Sequence, residues 1–450
     1  SASGGSARKQ QQHCGAPAAL PADDDPGATS RLPLGKFLFP PDRLAALLQW
    51  RHMNGAGPGL SNLGNTCFMN ATLQCLTYTP PLANLCIERT HSKACRRRGF
   101  CVYCELEGHM REAHDRRQAQ RSIAPRVLAR NIRTIGRHFR PGRQEDAHEY
   151  FICLVEALQT ASLHAAGKQP SANGKATPVP QAVGATSEVL QVFGGRMRSQ
   201  VVCSRCSLKS SSYESFLDLS LELNRAKSVK ESLKQFTLAE RLDGENKYRC
   251  MGCKTLVNAS KQLLLHSTPP VLALQLKRFG YGKHGLGKIG RAVNFDEKLE
   301  LSPFCTSECR QNASTTYRLY AVLVHQGSSV HAGHYYCYVR TASGVWHRLD
   351  DQQVSQVSVQ KVLSESAYML FYQREGKAPP VPALAPSGGV GQSKGTWSGE
   401  KLNGFMRFVS VMLIRFRRVR VRFVTMRQIQ TRVCAVVQAS TNQINKQIEI

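Results

Sequence analysis

Two cysteine pairs limit what this chain can fold into more than any other feature. Cys203 and Cys206 lie in "CSRC", and Cys250 and Cys253 lie in "CMGC". Each pair is a turn that aims two sulfurs at one point. Four thiolates converging there complete a tetrahedral zinc site with no open position, and a closed site is structural. Residues 207–249 must then leave the site and return to it. The gap is longer than in a simple zinc ribbon, so the spacing predicts a strand-rich insert between two knuckles.

A second cluster, "HSKACRRRGFCVYCELEGH", holds His91, Cys95, Cys101, Cys104 and His109. Residue types and spacing allow a second zinc set of Cys95, Cys101, Cys104 and His109. The alternative is that Cys101 and Cys104 pack at the start of a helix. Sixteen cysteines in 450 residues also raise the question of a secreted disulfide framework. The chain is far larger than a disulfide-dense module, and its start shows no signal-peptide pattern. The expected compartment is therefore reducing: nucleus or nucleolus, or the cytoplasm. No uncharged apolar run reaches about 18 residues, so no membrane span is expected. The net charge of +29 favours anionic partners.

Composition divides the chain. Residues 1–54 are rich in Ser, Gly, Ala, Gln, Pro and Asp, with hydrophobic content only at Phe37–Leu48, and are expected to be a disordered arm. The stretch His164–Ala185 reads as a loop or linker. From residue 375 to 450 a linker leads into a basic, low-order tail; Gly376–Ile450 carries twelve Lys and Arg against two Asp and Glu. That tail is either an unstructured basic extension or an RNA-binding patch. Between the arms, residues 57–374 form a dense region. "EDAHEYFICLVEAL" puts Ala147, Phe151, Leu154, Val155 and Leu158 on one helical stripe. Strand patterns follow at Val271–Phe279, Tyr317–His325, Gly333–Arg340 and Ala367–Gln373. Helices first and strands later predict an α+β architecture.

Cys67 lies in "GLSNLGNTCFMNATLQCL", where the Gly64-Asn65 turn gives way to a helix. Unpaired N–H groups at a helix start favour a thiolate, the nucleophilic form of cysteine. A nucleophile also needs a base and an orienter for it. "HAGHYYCYV" offers His331 and His334 as the base. His334 opens a strand that turns through "TASG" into "VWHRLDD". If Arg340 pairs with Val345, His334 lies opposite Asp351 with Asp350 beside it. A one-residue change in the loop moves the pairing onto Asp350, so spacing alone leaves the choice open.

Taken together, "GLSNLGNTCFMNATLQCL", "GRQEDAHEYF", "HAGHYYCYV", "WHRLDDQQV" and "AYMLFYQ" resemble the boxes of the ubiquitin-specific proteases, in the family's order. The resemblance implies a papain-like hand of thumb, palm and fingers, with zinc-bearing fingers at about residues 190–265. It implies Cys67 as nucleophile, His334 as general base, Asp350 as its orienter, Asn62 as oxyanion donor and Asp351 as a supporting acid. It further implies that Gln144, Asp146 and Glu149 hold the basic tail of ubiquitin, and that Gly333 and Tyr335 line the channel for its Gly-Gly end. The implied activity is a deubiquitinating isopeptidase acting through a Cys67 thioester on ubiquitylated proteins. The alternative is a catalytically weak ubiquitin-binding scaffold with a basic RNA-binding tail.

Overall fold

The computed structural model describes residues 37–51, 55–115, 117, 121–167, 186–282, 285–329 and 332–376. The first 36 residues, the low-complexity insert 168–185, His331 and the basic tail from 377 lie outside the described residues.

Helices lead. They are α1 (Pro41–Leu47), α2 (Cys67–Thr77), α3 (Pro80–Ile87), α4 (Val102–Ala113), α5 (Arg126–Arg130), α6 (Ile132–Ile135), α7 (Ala147–Ala166) and α8 (Glu188–Phe193). All eleven residues of α2 are buried. Its polar side chains bond inward. Thr72 and Thr77 donate their hydroxyls to Phe68 O and Leu73 O at 2.8 Å, and Gln74 Nε2 donates to Pro58 O at 3.0 Å. Each such group left unpaired would cost about 1–3 kcal/mol. The stripe of α7 from Ala147 to Leu158 is buried as its period requires. The helix runs on to Ala166, three residues into the segment expected to be a loop.

The arm expected to be disordered through residue 54 instead folds from Phe37. Phe39, Leu44 and Leu47 are buried. Asn84 Nδ2 donates to Leu47 O at 2.9 Å and to Gln49 O at 2.8 Å, tying the end of α1 to α3. The short hydrophobic run outweighs the poor composition around it, because a folded domain offers it a surface to pack against.

Strands follow: β1 (Gly195–Cys203), β2 (Lys209–Phe216), β3 (Leu219–Leu221), β4 (Glu240–Leu242), β5 (Tyr248–Arg249), β6 (Leu256–Val257), β7 (Ala259–Ser267), β8 (Val271–Leu276), β9 (Phe279–Gly282), β10 (Gly285–Lys288), β11 (Lys298–Glu300), β12 (Thr316–Ser329), β13 (Ala332–Arg340), β14 (Trp346–Asp350), β15 (Gln353–Val357) and β16 (Ala367–Arg374). Between the cysteine pairs the chain forms β2, β3, β4 and β5, as the expected strand-rich insert; β2 and β4 join the flanking β1 and β7 in a four-stranded sheet of order β2-β1-β7-β4, β5 pairs with β6, and β3 joins the larger sheet. The larger sheet runs β15-β14-β13-β12-β16-β8-β3, with β11 on β12. Along β12, Ala321 and Leu323 join the core shared with the helices, while Val322 and Val324 join a second core on the opposite face. This alternation is the two-residue period of a strand. The sheet is therefore fixed from both sides, and α2 packs directly on β13 and β14.

Candidate active site

The chain reaches α2 through a tight turn. Gly64 and Asn65 both take left-handed backbone, with φ of 98° and 55°. Glycine adopts this freely, and asparagine tolerates it better than most residues. Asn62 Oδ1 locks the turn, accepting from the backbone N–H of Gly64 at 3.0 Å and of Thr66 at 3.2 Å. Cys67 follows as the first residue of α2 and is 2% exposed.

The base arrives on the hairpin of β13 and β14. Arg340 pairs with Trp346, not with Val345. The loop Thr341–Val345 closes on itself, with Thr341 N donating to Val345 O and Gly344 N donating to Thr341 O, both at 2.9 Å. The expected register is thus off by one, and a slip of one moves every side chain to the other face. Extending the observed register sets Asp350 across from Tyr336, on the face of His334 and diagonal to it. Asp351 turns away. His334 Nε2 meets Asp350 Oδ1 at 2.5 Å. Arg348 Nη2 donates to the other oxygen, Asp350 Oδ2, at 2.5 Å, and its guanidinium lies 4.5 Å over the Tyr336 ring. Sequence reasoning missed Arg348. Its signal was its place two residues before Asp350 on the same strand face.

His334 is raised from an ordinary imidazole value of 6.5 to about 9. A hydrogen bond with Cys67 is the largest cause; partial burial opposes it, and the hydrogen bond and charge of Asp350 reinforce it. The His334 imidazole is thus bonded to Asp350 and influenced by the neighbouring Cys67. This order of groups keeps the imidazole protonated over the physiological range.

Asp351, with φ of 49°, performs a different task. Its Oδ2 accepts from Asn62 Nδ2 at 2.9 Å, its Oδ1 accepts from Asn70 Nδ2 at 2.8 Å, and its backbone O accepts from Leu60 N at 2.7 Å. Gly59 makes this crossing possible, because a Cβ there would run into Gln352 O. An amide nitrogen carries two hydrogens. Asp351 takes one from Asn62, and the other makes no bond among the described residues. Asn70, three residues after Cys67, was not singled out from the sequence.

The residues expected to hold a substrate tail are engaged with one another. Gln144 pairs both ways with the backbone of Gly333: Nε2 donates to Gly333 O at 2.7 Å, and Gly333 N donates to Oε1 at 3.1 Å. Asp146 caps α7, accepting from His148 N at 2.7 Å and Glu149 N at 3.2 Å, and it accepts the Tyr368 hydroxyl at 2.8 and 2.7 Å. Glu149 pairs with His138 Nε2 at 3.2 Å. Tyr335 is 2% exposed and packs on His325 and Tyr368, so it belongs to the core here and not to a channel wall.

The four cysteines Cys203, Cys206, Cys250 and Cys253 do converge, with every sulfur within 4.8 Å of the others. Sγ of Cys203 accepts from the backbone N–H of Arg205 and of Cys206 at 3.4 Å, and Sγ of Cys250 accepts from Cys253 N at 3.5 Å. Led by the Cys206 N–H, these bonds draw the Cys203 thiol down to about 6. Donors on each knuckle and four sulfurs at one point suit a structural metal. The second cluster needs a correction. Cys95, Cys101 and Cys104 gather around His91, not His109. Cys104 and His109 both lie on α4, five residues apart, and five residues of helix turn a side chain well away from the starting face. His91 lies in the turn before α4, with Nε2 3.3 Å from Cys101 Sγ and its ring stacked on Tyr103. Burial lowers its imidazole to about 4, so it is neutral, the form that ligates.

Comparison with known proteins agrees with this arrangement. The ubiquitin carboxyl-terminal hydrolase family model matches residues 58–372. Human ubiquitin carboxyl-terminal hydrolase 42 is 42% identical over 342 residues, 76% of this chain and 24% of that protein. Ubiquitin carboxyl-terminal hydrolase 23 of Arabidopsis thaliana is 46% identical over 321 residues, 71% of this chain and 36% of its own length. The chain thus spans only a minor part of these relatives. Among solved structures, a SAGA Ubp8/Sgf11/Sus1/Sgf73 DUB module bound to monoubiquitin matches with a TM-score of 0.61 at 29% identity, covering 71% of this chain and 70% of that one. The same module bound to ubiquitin aldehyde matches with a TM-score of 0.59 at 27% identity, covering 71% and 70%. By family model, sequence and fold, the chain belongs to the ubiquitin carboxyl-terminal hydrolases.

Proposed function

We propose that this chain is a deubiquitinating cysteine isopeptidase that hydrolyses the bond after the C-terminal glycine of ubiquitin on protein substrates. The observation that carries the reading is the grouping of Cys67, His334 and Asp350, with a 2.5 Å bond from base to carboxylate. His334 holds the proton drawn from Cys67, as an imidazolium beside the thiolate. The thiolate attacks the isopeptide carbonyl carbon, and the spare N–H of Asn62 stabilises the oxyanion that forms. The C–N bond breaks as the imidazolium gives its proton to the leaving lysine amine. Water then attacks the thioester, its proton passing to His334, and ubiquitin leaves with a free carboxylate. Gln144, Asp146, Glu149 and Gly333 hold the ubiquitin tail in this reading, with Tyr335 packed behind them in the core. The Gln144–Gly333 pair must then part as the tail enters.

Zinc held by Cys203, Cys206, Cys250 and Cys253 would staple the tip of the four-stranded sheet. A second ion held by His91, Cys95, Cys101 and Cys104 would staple the start of α4 to the turn before it. Neither set leaves an open position, so neither enters the chemistry. The basic tail is proposed to bind RNA or acidic proteins and to direct the chain to the nucleus or nucleolus. Loss of a tagged chain from the nucleus on removal of residues 377–450 would support that assignment; unchanged location would refute it.

The test of the activity is release of a fluorogenic amine from the C-terminus of ubiquitin. Turnover by the wild type that disappears in Cys67→Ala is the expected result. Equal turnover by that variant would refute the assignment. Binding of ubiquitin without turnover would favour the scaffold reading instead.

A further inference from the structure

Between Arg121 and Arg143 the chain carries seven arginines and no Asp or Glu. Among the described residues, none of these arginine side chains forms an ion pair or a hydrogen bond. Four of them, Arg126, Arg130, Arg140 and Arg143, line an open concavity of about 300 Å³ whose wall also includes Gly64 and Thr66. That volume is at the lower end of ligand pockets and holds several waters or one large side chain. No acidic residue lines it. The nearest carboxylate along the chain, Glu145, is engaged with the backbone N–H of Arg140 at 3.0 Å. The pocket is held against the nucleophile's turn by a hydrogen bond from Asn65 Nδ2 to Gly142 O at 2.9 Å. Thr66, in its wall, immediately precedes Cys67.

Unpaired exposed guanidinium groups usually mark a solvated face. These four differ because they surround a concavity and because that concavity abuts the catalytic helix. The tail of ubiquitin is basic, so it does not fit among them. Its proposed partners Asp146 and Glu149 stand on α7, beyond Gln144. Charge around Cys67 is therefore divided: acidic groups at α7, basic groups at the α5–Arg143 pocket.

We propose that this pocket receives an anionic side chain of the ubiquitylated protein, close in sequence to the modified lysine, and so selects among leaving groups. Arginine forks match carboxylate or phosphate oxygens in pairs, so an acidic or a phosphorylated residue supplies the required chemistry. The pocket's size and its place beside the nucleophile favour a peptide side chain over a polynucleotide, which would need a longer basic track. The proposal rests on the isopeptidase reading above.

The experiment compares four substrates: ubiquitin on a small fluorogenic amine, and ubiquitin joined to the single lysine of peptides flanked by glutamate, glutamine or phosphoserine. Each is given to the wild type and to the double variant Arg126→Gln with Arg130→Gln, whose exposed positions on α5 permit normal folding. The wild type should cleave the glutamate conjugate with kcat/KM about three- to tenfold above the glutamine conjugate, and added salt should shrink the gap. The double variant should lose the preference and keep its turnover of the fluorogenic substrate within about twofold. A phosphoserine conjugate cleaved faster than the glutamate one would support the proposal and identify phosphorylated proteins as the source. Brisk turnover of the fluorogenic substrate with no flank preference, or a preference that survives the double substitution, would overturn it. Single-stranded RNA that inhibits the wild type on every substrate but spares the double variant would overturn it in favour of a nucleic-acid contact. No turnover of the fluorogenic substrate by the wild type would instead refute the isopeptidase reading beneath it.

Discussion

Replacing Asp350 by Asn removes one negative charge and almost no volume. Two donors converge on the native carboxylate, His334 Nε2 and Arg348 Nη2, each at 2.5 Å from its own oxygen. Asparagine has one acceptor oxygen and cannot serve both. Arg348 is 34% exposed and can turn to water, so the imidazole is left with a neutral partner at best. A hydrogen bond to a charged group contributes about 1.5–3 kcal/mol, which at 1.36 kcal/mol per decade becomes a loss of about 10- to 150-fold in kcat/KM. The loss should not be larger, because Cys67 is the main cause of the raised His334 value and remains in place. The pH profile supplies the second readout. Protonated His334 donates to the leaving amine, so the wild-type rate should fall as pH rises through about 9. In Asp350→Asn that limb should move to lower pH. His325, lowered to about 4 by burial and then by Lys288, stays neutral throughout and adds no charge. The assay is steady-state cleavage of ubiquitin on a fluorogenic amine between about pH 6 and 10. A loss below about threefold, or an unmoved limb, would refute the idea that Asp350 supports the base.

Three further outcomes are expected. Asn62→Ala should lower kcat by about 10²–10³ with little change in KM, as removal of one oxyanion donor does; a change confined to KM would remove that role. Asp146→Ala should cost about 2–4 kcal/mol in denaturant unfolding, from a lost helix cap and a buried Tyr368 hydroxyl that keeps the donor Gln275 Nε2 but loses its acceptor. Adding Tyr368→Phe should recover part of that loss, and full additivity of the two substitutions would disprove the coupling. Cys203→Ser should cut the zinc content measured by mass spectrometry by about one ion per chain and loosen β1, β2 and β7 in hydrogen exchange, while protection of α2 persists; unchanged zinc content would exclude that cluster as a metal site.

The chemistry of the site was legible because it depends on residue types in short stretches. The C-x-x-C knuckles, the Gly64-Asn65 turn before Cys67 and the apolar stripe of α7 each follow from local rules. What spacing left open or missed depended on single-residue geometry. The choice of Asp350 over Asp351 turned on whether a hairpin loop holds four residues or five, and strand parity did the rest. His91 displaced His109 because a helix carried the latter to another face. The fold of Phe37–Leu48 depended on a partner surface that composition does not contain. Arg348 gained meaning only once the register put Asp350 on its strand face, and the arginine pocket was visible only once three separated segments met.

Asp350 and Asp351 are consecutive, yet one bonds His334 and the other bonds Asn62 and Asn70 on the helical side of the site. The end of β14 is thus a single lever with two arms. Any movement that draws it from the helical lobe withdraws His334's support and releases Asn62 in one motion.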